Sequence, residues 1–305
     1  MNTNPCSLIT ASTATSIAAG LVLEALAEGK ISTVSYLKGI KDLDMLKFAL
    51  SSIGLQRVFA EMLSRVLKRE HLDISSYILK GVKLSVNHPL ISSNTSLGYL
   101  IISIPLTASI FRLWLDGLEP LNNVDGLRDY IYTCLRRSSV KNFYEAITIS
   151  SPSYKGEFFG KAPSITDVEN LGKFTLYDIL SISRYWDLAS YEVMEIFPYT
   201  FTVYAKLKEI NDLSDLKRYL NKVSEEHVKL SSVTNDTTVA RSRGISFAIL
   251  VRESIRLADH AASDLDSWFR SMSVNLGSIS DVIASAVSLD LMVRTLERFT
   301  DSIHL

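Results

Sequence analysis

Glu24 stands on or beside an apolar stripe formed by Ala14, Ile17, Ala18, Leu21 and Ala25, and Glu28 continues its row one turn later. A carboxylate there is costly to bury ionised unless it meets a cation, a donor or a solvated cavity. It is therefore either a solvated stripe edge or a functional group. Lys30 follows Gly29 beyond the end of the same helix, where a cation suits the terminal carbonyls. The segment SNTSLG (93–98) opens the most apolar stretch of the chain with a capping side chain and free backbone donors, equally a plain N-cap and an anion site. Asp187 follows Trp186 in a largely apolar segment, where Arg184 offers an i−3 ion pair. NLGSISDV (275–282) contains S-x-x-D, which reads as a capping box opening the last helix after a stop at Gly277.

The elements that must hold these groups are helices. Thr13 to Glu28, 42–53, 55–70 and 94–115 carry a 3.6-residue apolar period or, in the last case, apolar residues nearly all round. That last stretch should be a central buried helix kinked at Pro105. Further helical stretches follow at 124–138 and 140–150. A single long helix is expected over 174–197, then a charged surface helix over 214–230 and helices near 244–259, 262–273 and 278–299. Ser151 to Lys173, with two Pro and three Gly, is the longest irregular segment and reads as a functional or linking loop. There is no internal repeat and no shift of composition along the chain. The expected fold is all-α: one bundle-like helical domain over residues 1–305.

Composition narrows the function classes. The chain of 305 residues is 47% hydrophobic and 21% charged, with 13 Gly and only 7 Pro, as a helical globular protein requires. A formal charge of −1 leaves no global basic field, so nucleic acid is not an expected partner. Two cysteines, Cys6 and Cys134, show no disulfide framework or metal spacing, and the five histidines are scattered. The first 23 residues lack charge but also lack a basic start, and the apolar core of 97–111 is too short to span a bilayer. Neither an export signal nor a membrane anchor is expected, and the setting read from this is cytoplasmic. GEFFGKAPS (156–164) has the wrong glycine spacing for a phosphate loop. No G-x-S-x-G, G-x-G-x-x-G or H-E-x-x-H occurs, which removes the commonest hydrolase, dinucleotide and zinc-protease signatures. NDT at 235 matches a glycosylation sequon, which has meaning only in a secreted chain.

The order of the polar elements adds what none gives alone. LEALAEGKISTV (23–34), DLDMLKF (42–48), NTSLGYLIISIPL (94–106), YEAI (144–147), Asp167–Val168, Trp186–Asp187, SRG (242–244) and NLGSISDV (275–282) resemble, in sequence order, motifs of the triphosphoribosyl-dephospho-CoA synthase family. The likeness runs from about Ala14 to Leu291. Two elements depart from the family pattern: Ile31, Ser32 and Thr33 stand where K-P-G-N-V has Pro, Gly and Asn, and PSYKG (152–156) stands for P-G-G-L-G.

The resemblance implies an all-helical transferase that moves the triphosphoribosyl group of ATP to the 2'-hydroxyl of 3'-dephospho-CoA, or a related acceptor, with release of adenine, in the biosynthesis of a prosthetic group. It implies Glu24, Asp187 and Asp281 as the catalytic and Mg²⁺-holding carboxylates. Lys30 and Arg243 would meet phosphate, and Asn94, Thr95, Asn275, Gly277 and Ser278 would position the nucleotide. The altered glycine motifs leave open a slower reaction, a different acceptor, a non-catalytic Mg-nucleotide or CoA-binding module, or a helical interaction protein.

Overall fold

The computed structural model describes residues 5–150, 172–258 and 262–303. Its elements are α1 (Pro5–Leu26), α2 (Met45–Leu67), α3 (Ile74–Val86), α4 (Leu97–Leu115), a short 3₁₀ turn (Pro120–Asn122), α5 (Val124–Arg136), α6 (Val140–Ile149), α7 (Leu176–Ser183), α8 (Leu188–Met194), α9 (Pro198–Lys208), α10 (Leu216–Val233), α11 (Thr237–Arg243), α12 (Ile245–Leu257), α13 (Ala262–Ser271) and α14 (Gly277–Ile303). No strand occurs among the described residues, and the expected all-α class is what the chain adopts. The loop expected at 151–173, with its PSYKG, GEFFGKAPS and Asp167–Val168 motifs, lies almost wholly outside the described residues, as does His260.

α4 occupies the centre: fifteen of its nineteen residues are buried, and it packs against α1, α2, α3, α5, α8 and α14. α1 lies along α14, closely enough that a Cβ on Gly20 would collide with the backbone of Ser288. Tyr99 of α4 ties the three together, its hydroxyl 2.8 Å from both the Ile17 carbonyl and the Ser288 hydroxyl. One large apolar cluster spans these helices and α2 to α10. A smaller one joins Ile31 to Val239, Val251, Phe269 and Leu276. The two helices long and apolar enough to cross a membrane, Ser7–Leu26 and Leu97–Leu115, have 56% and 78% of their apolar windows buried in the protein, which is how core helices pass that test.

Several boundaries differ from the sequence reading, each for a local reason. The stretches 42–53 and 55–70 form one helix, α2, which Asp44 caps and which runs through Gly54, where even an added Cβ would meet Leu84 only at ordinary contact distance. The expected long helix over 174–197 breaks at Asp187, whose carboxylate accepts from the Ser190 N–H and starts α8. A further helix, α9, follows Ile196 and Phe197, both of which adopt left-handed backbone conformations. The periodicity reading also passed over α3, capped by Asp73, and the seven-residue α11, capped by Asp236.

Candidate active site

The last turn of α1 and the loop behind it bury a charge pair. Glu24 and Lys30 are 2% and 3% exposed, and Lys30 Nζ lies 2.6 Å from Glu24 Oε1. Lys30 also donates to the Glu24 carbonyl at 2.5 Å, so it serves the helix end as expected while neutralising a carboxylate. Burial raises the Glu24 pKa and lowers that of Lys30, and their mutual attraction opposes both shifts. Glu28, by contrast, is exposed and accepts the Leu37 N–H at 2.7 Å. The solvated-edge reading therefore holds for Glu28 alone.

Beside this pair, helix N-termini meet around carboxylates. Asp236, 3% exposed, accepts the Val239 N–H of α11 at 3.0 Å and the Ile279 N–H of α14 at 3.0 Å. One side chain thus caps two helices. Burial pushes its pKa up to about 6 despite those donors. Ser278 Oγ accepts from Thr237 Oγ1 at 2.8 Å and from Thr238 N at 3.0 Å, which fastens the same two helices together. Asp187 caps α8, taking the Ser190 N–H at 2.9 Å and hydroxyl at 2.6 Å, and Thr237 Oγ1 lies 3.4 Å from the Leu188 N–H. Asp187 also pairs with Arg241.

Asp281 is the partly exposed member of the group. It lies on the first turns of α14 against the start of α4 and fills the space that a Cβ on Gly98 would need. Burial, then the negative charges of Asp236 and Glu24, hold its pKa well above the usual carboxylate range. At the same end of α4, Asn94 Oδ1 accepts the Ser96 and Leu97 N–H groups at 3.2 and 3.0 Å.

Of the residues singled out from sequence, Glu24, Lys30, Asp187, Ser278 and Asp281 fall in one connected set with Asp236. Asn94 sits at the facing helix start, and Asn275 stands next to the Gly277 turn that begins α14. Two point elsewhere. Thr95 is buried between the hydroxyls of Ser51 (2.6 Å) and Ser85 (3.2 Å), and Arg243 is exposed, bonding the Met272 carbonyl and lying over the Phe247 ring. Two pairings are corrected. Arg184 pairs with Glu195 at 3.4 Å, because the break at Asp187 turns the carboxylate toward Arg241. Ser278 and Asp281 form no capping box, because Asp236 takes the α14 amides and leaves Asp281 free to face α4. The reading missed Asp236, Arg241 and Asp266. The signal for Asp236 was D-T-T-V after a long helix, an N-cap pattern that the sequon NDT overlies.

A family model described as ATP:dephospho-CoA triphosphoribosyl transferase matches residues 10–299. The chain belongs to this family. A crystal structure from Archaeoglobus fulgidus, carrying the provisional name triphosphoribosyl-dephospho-CoA synthase, covers 80% of this chain and 97% of its own at 21% identity and a TM-score of 0.57. At that identity it shows the fold. A search of curated proteins gives no significant match. In this transferase Ser32, where the family motif has Gly, adopts the left-handed conformation that glycine favours, with φ of 49°. Three bonds hold it there: its N–H to Asp266 (2.8 Å), its hydroxyl to the Val274 carbonyl (2.8 Å) and the Leu276 N–H to its own carbonyl (3.0 Å). The departure in sequence thus keeps the turn.

The donor set tests the expected Mg²⁺. Among the described residues no group of three His, Cys, Asp or Glu side chains is placed to hold a metal. Glu24 is engaged by Lys30, Asp187 by Ser190 and Arg241, and Asp236 by the Val239 and Ile279 amides. The expected three-carboxylate cage of Glu24, Asp187 and Asp281 is not formed. The described residues therefore form no cage for a resident Mg²⁺.

Proposed function

We propose that the carboxylate cluster around Asp281 is where this transferase breaks the bond between adenine and the ribose of MgATP. The anomeric carbon then bonds to the 2'-hydroxyl oxygen of 3'-dephospho-CoA or a related acceptor. In that exchange the acceptor hydroxyl loses a proton, adenine gains one, and the triphosphate stays on the transferred ribose. The developing charge on the sugar is positive, so a carboxylate beside it lowers the barrier. Asp281 serves this role because, unlike Glu24 and Asp187, it is paired with no cation and, unlike Asp236, it caps no helix.

The triphosphate needs positive potential. The start of α4 supplies part of it through its helix dipole, since Asp236 already answers the amides of α11 and α14 and Glu24 already answers Lys30. Arg243, on the surface, has no part in this reading. Soluble metabolites as substrates make the cytoplasm the expected setting.

The observation that carries the proposal is the partly exposed Asp281 among three buried carboxylates at a junction of helix N-termini. Incubation of the protein with MgATP and 3'-dephospho-CoA, with adenine followed by chromatography, tests it. Acceptor-dependent adenine release supports the reading. No adenine with this acceptor or close analogues defeats it.

A further inference from the structure

The turn that carries Lys30 is gripped by a helix that neither the motifs nor the proposed chemistry uses. Ser32 stands in that turn with φ of 49°, in the left-handed region that a residue with a Cβ leaves unless its surroundings fix it. What fixes it is α13. Asp266, 4% exposed, accepts the Ser32 N–H at 2.8 Å and Arg270 Nε at 2.7 Å on one carboxylate oxygen, and Lys38 Nζ at 2.8 Å on the other. Arg270, one turn further along α13, donates through its two terminal nitrogens to the Gly39 carbonyl at 2.8 Å and to the Thr33 carbonyl. Two side chains thus hold three backbone groups and one lysine of the same loop.

The grip is made of charge-assisted bonds at a buried acid, where such bonds are strongest. Burial pulls the Asp266 pKa up, yet the bonds from Lys38, the Ser32 N–H and Arg270 leave it below the usual carboxylate range, so the carboxylate stays charged. The same turn reaches the cluster. Lys30, two residues before Ser32, bonds the Glu24 carboxylate at 2.6 Å and the Glu24 carbonyl at 2.5 Å. Leu276 donates its N–H to the Ser32 carbonyl at 3.0 Å, and Thr33 Oγ1 lies 2.8 Å from the Oγ of Ser280, the residue before Asp281. The turn is therefore a strut between α13 and the start of α14. A strained backbone persists only while its surroundings over-determine it. Without Asp266, Ser32 is free to relax to a negative φ, and Lys30 and Thr33 move with it.

We infer that Asp266 and Arg270 are positioning residues for the transfer reaction: they hold the 30–33 turn in its strained form and so keep Lys30 on Glu24 and Thr33 on Ser280 beside Asp281. The kinetic part of this inference rests on the proposed function, but the clamp itself can be read without any turnover.

Hydrogen exchange reads the clamp alone. In Asp266→Ala, peptides covering 30–40 should exchange at least about tenfold faster, while those of α1 and α14 around Gly20 and Ser288 keep their rates. Unchanged exchange over 30–40 overturns the clamp. In adenine release, Asp266→Ala should lower kcat at least about tenfold with KM for MgATP within about threefold, the split expected when a reacting group is misplaced and no binding contact is lost. Glycine takes a positive φ without strain, so adding Ser32→Gly to Asp266→Ala should raise kcat at least about threefold, a rescue that a merely structural loss would not show. Full kcat in Asp266→Ala, or no recovery with Ser32→Gly, overturns the positioning role. Should Asp266→Ala not fold, Arg270→Gln, at a partly exposed side chain, carries both readouts in the same directions, and unchanged exchange and kcat there overturn the inference. Should the unaltered protein release no adenine, the proposed function falls and hydrogen exchange alone decides the clamp.

Discussion

Two of the three aspartates of α14, Asp281 and Asp290, stand nine residues apart, about 13 Å along the helix, and they have opposite surroundings. Asp290 is 1% exposed and fully answered: Arg294 Nε lies 2.9 Å from Oδ2, Tyr219 donates at 2.8 Å, and Arg294 is itself fixed to the Ile210 carbonyl at 2.8 Å. Asp281 is partly exposed, is paired with no cation, and faces the Asp236 and Glu24 carboxylates. A buried acid with matched donors holds a fold together. An acid set among like charges, with a face open to solvent, costs stability and is kept for chemistry.

Exchanging each for its amide separates the two most sharply. Asp281→Asn should lower adenine release about 10²- to 10³-fold, the loss expected of a charge that stabilises a transition state. Its melting temperature should hold or rise, because a like charge is removed. Asp290→Asn should do the reverse. About 3 kcal/mol of stability, seen in a denaturant titration, should go with the uncompensated Arg294, and activity should persist in the fraction that remains folded. Equal losses of stability in both variants would break the contrast.

The glycines that face the same helix extend it. Gly20→Ala sets a methyl against the Ser288 backbone, which cannot yield, and should cost about 1–3 kcal/mol in thermal unfolding. Gly98→Ala sets one against the Asp281 carboxylate, which can swing aside. It should leave stability within about 1 kcal/mol and reduce turnover about tenfold, since misplacing a reacting group costs rate before it costs folding.

The smallest expected effect is in pH. Asp236 has a folded pKa raised to about 6, so the native protein binds its proton more tightly than the unfolded chain does. Its ionised form therefore subtracts stability above pH 6, and the penalty is relieved as pH falls from 6 toward 4. Asp236→Asn removes that titration. Relative to the variant, the unaltered protein should gain about 1–2 kcal/mol between pH 7.5 and 5 in denaturant titrations at each pH. A gap that shrinks in acid would show that Asp236 is stabilised by its caps more than it is penalised by burial.

The helical class was legible because low Gly and Pro content and 3.6-residue periodicity act locally and everywhere. Glu24, Lys30, Asp187 and Asp281 were legible as costly groups beside apolar stripes. Their partners were not, because partner choice is tertiary. Ser278 and Asp281 match a capping box by spacing, yet Asp236, some forty residues earlier, takes the amides. Arg184 has the right spacing for Asp187, yet the helix break hands the carboxylate to Arg241. Asp266 was hidden in a segment of mixed polarity, and only the fold shows that this face of α13 meets Ser32.

The central claim is that Asp281 meets the magnesium-bearing triphosphoribosyl donor. Calorimetric titration of MgATP into the unaltered protein and into Asp281→Asn measures this directly. Binding should weaken about 10- to 100-fold in the variant, about 1–3 kcal/mol for one charge-assisted contact. Unchanged affinity in Asp281→Asn, with or without Mg²⁺, would contradict the account and return Asp281 to the structure of α14.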